Sequence, residues 1–323
     1  MTAKEYIQSR LENLKQPLGF EKLSNEELLV DAIFKAFISK KFRKYSLGAD
    51  QAEHIKSSIA LNVKNKEPIK ATLVFGGYKL WRLKETPEAD WAELFSLIYY
   101  TNWMKPVCEL YEPGVWFDFF SDDVIVSKMN NVPSRDIKDY QSSFIKLLEF
   151  IKPYQPKNLN MTINRVGDQY DNYEAFEKDL AEQRKSLSDS LKGGLPVLDD
   201  IAKATLDLNV RTTPEQEADT KWREKVQLMH DSYALVKGRR PYYRMPDKLN
   251  IMTTPFNGML SVGTTKDSIM KFWIGVGVLR PNGDDFRQII LSPNQLSKTK
   301  FNFEAVSIDG LQGKNFSKIR ILK

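Results

Sequence analysis

The chain has 323 residues, with 48 Lys+Arg, 42 Asp+Glu, two His and one Cys. Apolar residues make up 41% and charged residues 28%, which excludes collagen-like, disordered and disulfide-scaffold classes. One cysteine forms no internal disulfide, and with only His54 and His230 beside it a Cys/His zinc cluster is excluded. The net charge of +6 reads as an excess of solvated surface lysines, with an anionic small molecule allowed and nucleic acid not expected.

No stretch of about 18 apolar residues occurs, so no transmembrane helix and no membrane partner are expected. The opening MTAKEYIQSRLENLKQPLGFEK is polar with a helical pattern and lacks the apolar centre of a signal peptide, so the expectation is a soluble, cytoplasmic protein. Residues 1–66 read as a helical segment. Within it Ser24 with Glu27 predicts a capped helix running to Phe42, with Leu28, Leu29, Ala32, Ile33, Ala36 and Phe37 as its core stripe.

Residues 67–170 alternate. Lys70–Phe75 is a strand ended by Gly76-Gly77. Thr86-Pro87-Glu88 predicts a helix start, a Thr cap with Pro at the first helical position, and Pro106 is expected to kink or end that helix. Val115–Phe120 is a second strand, dense in aromatics, closed by Ser121-Asp122-Asp123. Ser134 caps a further helix that stops at Pro153 and Pro156. Leu159–Ile163 is a third strand. Strand, helix, strand, helix, strand predicts βαβ units and a mostly parallel sheet flanked by helices.

Residues 171–240 read as helical, with Thr213-Pro214-Glu215-Gln216 as a strong start and Trp222, Val226, Met229, Tyr233 and Val236 as a core stripe. Cys108 reads as a buried small hydrophobe. Residues 241–323 carry six short strand candidates, Leu249–Thr253, Met259–Val262, Lys271–Leu279, Phe286–Leu291, Asn302–Ile308 and Ile319–Leu322. A hairpin is expected around Asn282-Gly283. This strand-rich region forms an antiparallel or mixed sheet that completes the same domain or makes a second one.

Loops at the carboxyl ends of parallel strands converge on one edge, where ligands bind. The three strands there contribute Lys79 and Arg82; Ser121, Asp122 and Asp123; and Asn164, Arg165 and Asp168. A lysine, an arginine and carboxylates around a glycine turn suit an anionic substrate and acid–base chemistry. Lys79 and Asp122 are the candidate catalytic pair. Lys79 is a possible Schiff-base nucleophile or a solvated loop lysine, and Asp122 an acid, an orienter or a structural cap. Arg82, Ser121, Arg165 and Asp168 are candidate substrate contacts, joined by Arg239, Arg240 and Tyr243 from the cluster KGRRPYYR. Thr264-Thr265-Lys266 adds further hydroxyl and ammonium donors. No cofactor is expected on this reading. The alternative is a glycosyl- or nucleotidyl-transferase that binds Mg²⁺ or Mn²⁺ through Asp122 and Asp123, and a further one is a non-catalytic nucleic-acid- or protein-binding module.

The segments FGGYKLWR, TPEADWAELFSL, YEPGVWFDFFSDDVIV and NNVPSRDIKDYQSSF resemble, in order and spacing, the core of the isonitrile synthase family, also called the pyoverdine/dityrosine biosynthesis family. The similarity spans residues 71–145 and rests on Lys79, Pro87, Tyr111-Pro113-Gly114, Ser121-Asp122, Val132 and Tyr140. Asp123 stands where the family has glycine, and LNIMTTPFNG lacks the histidine of a later family segment. The resemblance implies a Rossmann-like fold and a biosynthetic enzyme. Such an enzyme acts on an amino acid, typically tyrosine or tryptophan, with a pentulose phosphate supplying one carbon. Lys79 would capture the carbonyl, and the arginines would hold phosphate and carboxylate.

Overall fold

The structure is a computed structural model that describes residues 1–79, 87–121, 132–190, 245–253 and 259–323, with scattered helical positions from 218 to 236. Three helices open the chain, α1 (Ala3–Lys15), α2 (Glu26–Phe37) and α3 (Ala49–Asn65). The cap of α2 is Asn25 rather than Ser24, because its side chain accepts from Leu28 N at 2.9 Å. The helix ends at Phe37, and Val30, Ile33 and Phe37 are its buried residues, while Leu28 stands exposed.

A β/α alternation follows: β1 (Ile69–Phe75), α4 (Trp91–Leu110), β2 (Val115–Ser121), α5 (Ser134–Ile151) and β3 (Leu159–Arg165). The start of α4 corrects the expectation. Its cap is Asp90, whose side chain accepts from Ala92 N at 2.6 Å, so Pro87 and Glu88 precede the helix and Thr86 lies outside the described residues. Nor does Pro106 break α4. Helical bonding resumes beyond it, with Tyr111 N on Val107 O at 2.9 Å, and seventeen of the twenty residues are buried. Packing from all sides outweighs the single backbone donor that proline removes. Cys108 is buried there as expected, its thiol pushed up to about 12 by burial. The start of α5 has Pro133 at the cap position and no side-chain cap, so Ser134 is its first residue.

The helical segment α6 (Tyr173–Ser190) comes next. Of the stripe expected in residues 213–236, Tyr233 and Val236 are buried and Met229 half-buried, whereas Trp222 and Val226 lie outside the described residues. The chain then returns as β4 (Lys248–Ile251), and β1 to β4 form one parallel sheet in the order β3-β2-β1-β4. The remaining elements are β5 (Val276–Asn282), β6 (Asp285–Leu291), α7 (Pro293–Lys298), β7 (Phe301–Ala305) and β8 (Lys318–Leu322). They form a mixed sheet of order β6-β5-β8-β7, with β5 and β8 parallel and the outer pairs antiparallel. Asn282 and Asp285 pair across the expected hairpin turn. Residues 259–262 enter only isolated bridges, not a strand. The architecture is therefore α/β, a parallel sheet flanked by helices with a mixed sheet beside it.

One face of the parallel sheet is aromatic. Phe75, Phe117 and Phe119 pack on Tyr100 of α4 and on Tyr140 and Phe144 of α5. Phe272 and Trp273, just before the mixed sheet, enter the same cluster, Phe272 lying 5.8 Å from Phe75 and stacking on Phe144 at 6.1 Å. The opposite face carries buried polar groups beside the buried Phe120, with Thr72, Asp118 and Lys248 all at 1% exposure or less. Parallel sheets ordinarily bury apolar residues on both faces. Among the described residues no helix is long and apolar enough to cross a membrane.

Candidate active site

Strand order fixes where a site can form. The chain runs β1, β2, β3 in one direction across the sheet and then places β4 on the other side of β1, so β1 and β4 flank a topological switch point. In-register pairing puts Phe75, Ser121 and Arg165 side by side at the carboxyl ends of β1, β2 and β3. The three strand ends thus meet at one rim.

The loop after β1 turns across the end of β2. Gly77 has φ of 70°, and a Cβ there would lie 1.8 Å from Ser121 Oγ, so only glycine permits this close passage. Ser121 Oγ also accepts from Gln141 Nε2 at 3.3 Å. Beyond Tyr78, Lys79 turns inward and is 5% exposed. Its Nζ donates to both carboxylate oxygens of Glu93 at 3.0 Å and to the Phe272 carbonyl at 3.0 Å, and lies 3.2 Å from Asp90 Oδ2.

Both carboxylates come from the first turn of α4. Asp90 caps Ala92 N, and Glu93 reaches back to Asp90 N at 2.8 Å, a reciprocal capping box at a helix end that favours negative charge. The box is clamped from outside, since a Cβ on Gly277 of β5 would lie 2.3 Å from Ala92 N. Tyr140 of α5 donates its hydroxyl to Glu93 Oε1 at 3.1 Å. Burial pushes the Glu93 carboxyl up, to about 8; Lys79 opposes the rise and Asp90 adds to it. Burial, with the adjacent Glu93 charge, also holds the Tyr140 hydroxyl well above its ordinary value. The cluster can therefore exchange a proton between an ammonium and a carboxylate 3.0 Å apart, shielded from water.

At the third strand end, Arg165 directs its fork at Asp168, Nε to Oδ2 at 2.9 Å and a terminal nitrogen to Oδ1 at 2.8 Å, with both side chains about half exposed. Two of the candidate substrate contacts thus engage each other. Asp122, Asp123, Arg82, Arg239, Arg240 and Tyr243 lie outside the described residues. Among the described residues, no group of three or more His, Cys, Asp or Glu gathers where it could hold a metal ion.

Asp90 and Glu93 were not among the candidates read from sequence. Their signal, an acid three residues before a glutamate ahead of an apolar run, was present but competed with Thr86-Pro87-Glu88 just upstream. Asp118 was also missed, although a carboxylate inside VWFDFF is itself a signal. It accepts from Thr162 at 2.8 Å and Asn164 at 2.6 Å, and burial pushes its carboxyl up. Lys248 had no local signal; burial pulls its amine down to about 8, with Asp118 opposing.

No family model matches the chain, and no curated protein matches it. Among solved structures it is similar to the PvcA protein from Pseudomonas aeruginosa, with a TM-score of 0.61 and 15% identity over 90% of this chain and 100% of that one. A tyrosyl-tRNA synthetase from Aeropyrum pernix aligns with a TM-score of 0.34 and 10% identity over 69% of this chain and 52% of that one, too low to bear on the fold. The likeness to PvcA is one of fold.

Proposed function

We propose that this chain is an isonitrile-synthase-like enzyme of amino-acid-derived natural-product biosynthesis, joining an amino acid to a pentulose phosphate or related carbonyl compound. The observation that carries the reading is the buried Lys79–Glu93–Asp90–Tyr140 cluster at the carboxyl rim of a sheet with PvcA-like topology. Lysine attacks a carbonyl only as the neutral amine. Burial makes the ionised form of Glu93 an unusually strong base, and that carboxylate accepts the Lys79 proton across 3.0 Å. The freed amine adds to the substrate ketone, and loss of water leaves an imine. Asp90 holds Lys79 against the rim, and Tyr140 and the Phe272 carbonyl orient the pair. Asp122 serves as acid or orienter, Arg82, Arg165, Arg239 and Arg240 bind phosphate and carboxylate with Ser121 and Tyr243, and Asp168 contributes by holding the Arg165 guanidinium at the rim. This chemistry needs no metal.

The test combines purified protein, tyrosine or tryptophan and a pentulose phosphate, with borohydride added to one portion. The expected results are an isonitrile product by mass spectrometry and a reduced sugar adduct at Lys79 by peptide mapping. The absence of both substrate consumption and an adduct, in correctly folded protein, overturns the reading.

A further inference from the structure

A separate cleft of about 470 Å³ opens where α1, the turn after α2, α4 and the β5–β6 hairpin meet, and its lining shares no residue with the Lys79 cluster. Its charge is unbalanced. Arg10, Lys41, Lys266 and Arg287 line it against only two carboxylates, Asp267 and Asp285. Arg287 is partly answered, 3.7 Å from Asp267 and donating to Asn282 Oδ1 at 3.1 Å. Arg10, Lys41 and Lys266 have no carboxylate partner among the described residues. The hydroxyls beside Lys266 are used within their own loop, since Thr264 donates to Met270 O at 2.7 Å and Thr265 accepts from Asp267 N at 3.3 Å. The ammonium is what that motif offers to the cleft.

A second observation points the same way. Gln288, also in the lining, has its Nε2 enclosed with no hydrogen-bond partner. A buried amide donor without an acceptor is costly unless something accepts from it. Beside it, Tyr6 and Phe286 meet edge to face at 5.7 Å and supply an aromatic wall. Burial pushes the Tyr6 hydroxyl up to about 12, so it stays a donor at neutral pH. Cations, an orphaned donor and an aromatic wall converge from segments up to 282 residues apart in a space of small-molecule size.

We propose that this cleft binds a small molecule carrying a phosphate group on a flat apolar ring. A phosphate dianion matches the excess of two positive charges and offers acceptors for Arg10, Lys41, Lys266 and the Gln288 amide, while the ring packs on Tyr6 and Phe286. Phenyl phosphate is the probe, titrated into the full chain by calorimetry, with phenol as the uncharged control. Saturable binding of phenyl phosphate and none of phenol are expected. The Arg10→Ala/Lys41→Ala double variant weakens binding about tenfold or more, the effect of losing charge-assisted hydrogen bonds. Gln288→Leu also weakens binding while leaving the melting temperature of the free protein equal or higher, because it removes an unsatisfied donor. Arg165→Ala, at the sheet rim, leaves binding unchanged. No saturable binding to folded wild type overturns the proposal, and so does binding lost in Arg165→Ala but kept in the double variant.

Discussion

Glu93 is the residue on which the rim converges. It accepts from Lys79, from the Tyr140 hydroxyl and from Asp90 N, and it is fully buried. Its raised carboxyl makes folding sensitive to pH with a definite sign. Between the ordinary value of 4.5 and about 8, the folded chain holds a proton at Glu93 that the unfolded chain releases. The stability this confers is complete below the lower value and is lost as pH rises through the upper one. The expected outcome is that urea unfolding of wild type loses stability from about pH 5 to about pH 9 relative to Glu93→Gln, which has no proton to lose. A wild-type-minus-variant difference that stays flat across that range removes the assigned role. Lys79 was legible in sequence as a loop lysine after a glycine turn. Glu93 was not, because an acid in the first turn of a helix is an everyday capping feature and nothing local says that a lysine fourteen residues upstream folds onto it.

At the scale of elements, α4 does two tasks with one turn. Asp90 caps the helix and faces Lys79, so its two contributions can be separated. Asp90→Asn keeps an acceptor for Ala92 N and loses the charge, while Asp90→Ala loses both. The alanine variant is expected to be less stable than the asparagine variant by about 1 kcal/mol, the usual worth of a cap, by chemical denaturation. Equal stability of the two would mean that the cap contributes nothing. The existence and order of the strands and helices of the βαβαβ region were legible because apolar period and Gly/Pro punctuation are local. The helix starts were not, because several cap-like residues stand near each one and packing selects among them. Asn25 over Ser24 and Asp90 over Thr86-Pro87 are cases of this. The short helix α7 carried a full capping box, Ser292 with Gln295 and Pro293 between them, and could have been read from sequence.

At the scale of the molecule, Phe272 ties the strand-rich C-terminal region to the parallel sheet. Its ring packs among Phe75, Phe119, Phe144 and Tyr100, and its carbonyl anchors Lys79. Phe272→Ala is expected to cost about 3–5 kcal/mol of stability in urea unfolding, the range for deleting a buried aromatic ring. It should also lower the yield of borohydride-trapped adduct at Lys79 by loosening the backbone that holds its amine. Unchanged stability and trapping together would show that the cluster does not depend on this contact.

Local chemistry was enough to determine that this chain alternates strand and helix, that its strand ends carry polar groups and that Cys108 is a packing residue. Each of these follows from side-chain period, turn residues or composition within a few neighbouring positions. Tertiary structure alone decided the order β3-β2-β1-β4, the polar groups buried on the sheet's second face, and the partners of Lys79, one of which lies 193 residues away. Strand order and buried ion contacts are chosen by which surfaces exclude water together, and that competition is between segments far apart in the chain.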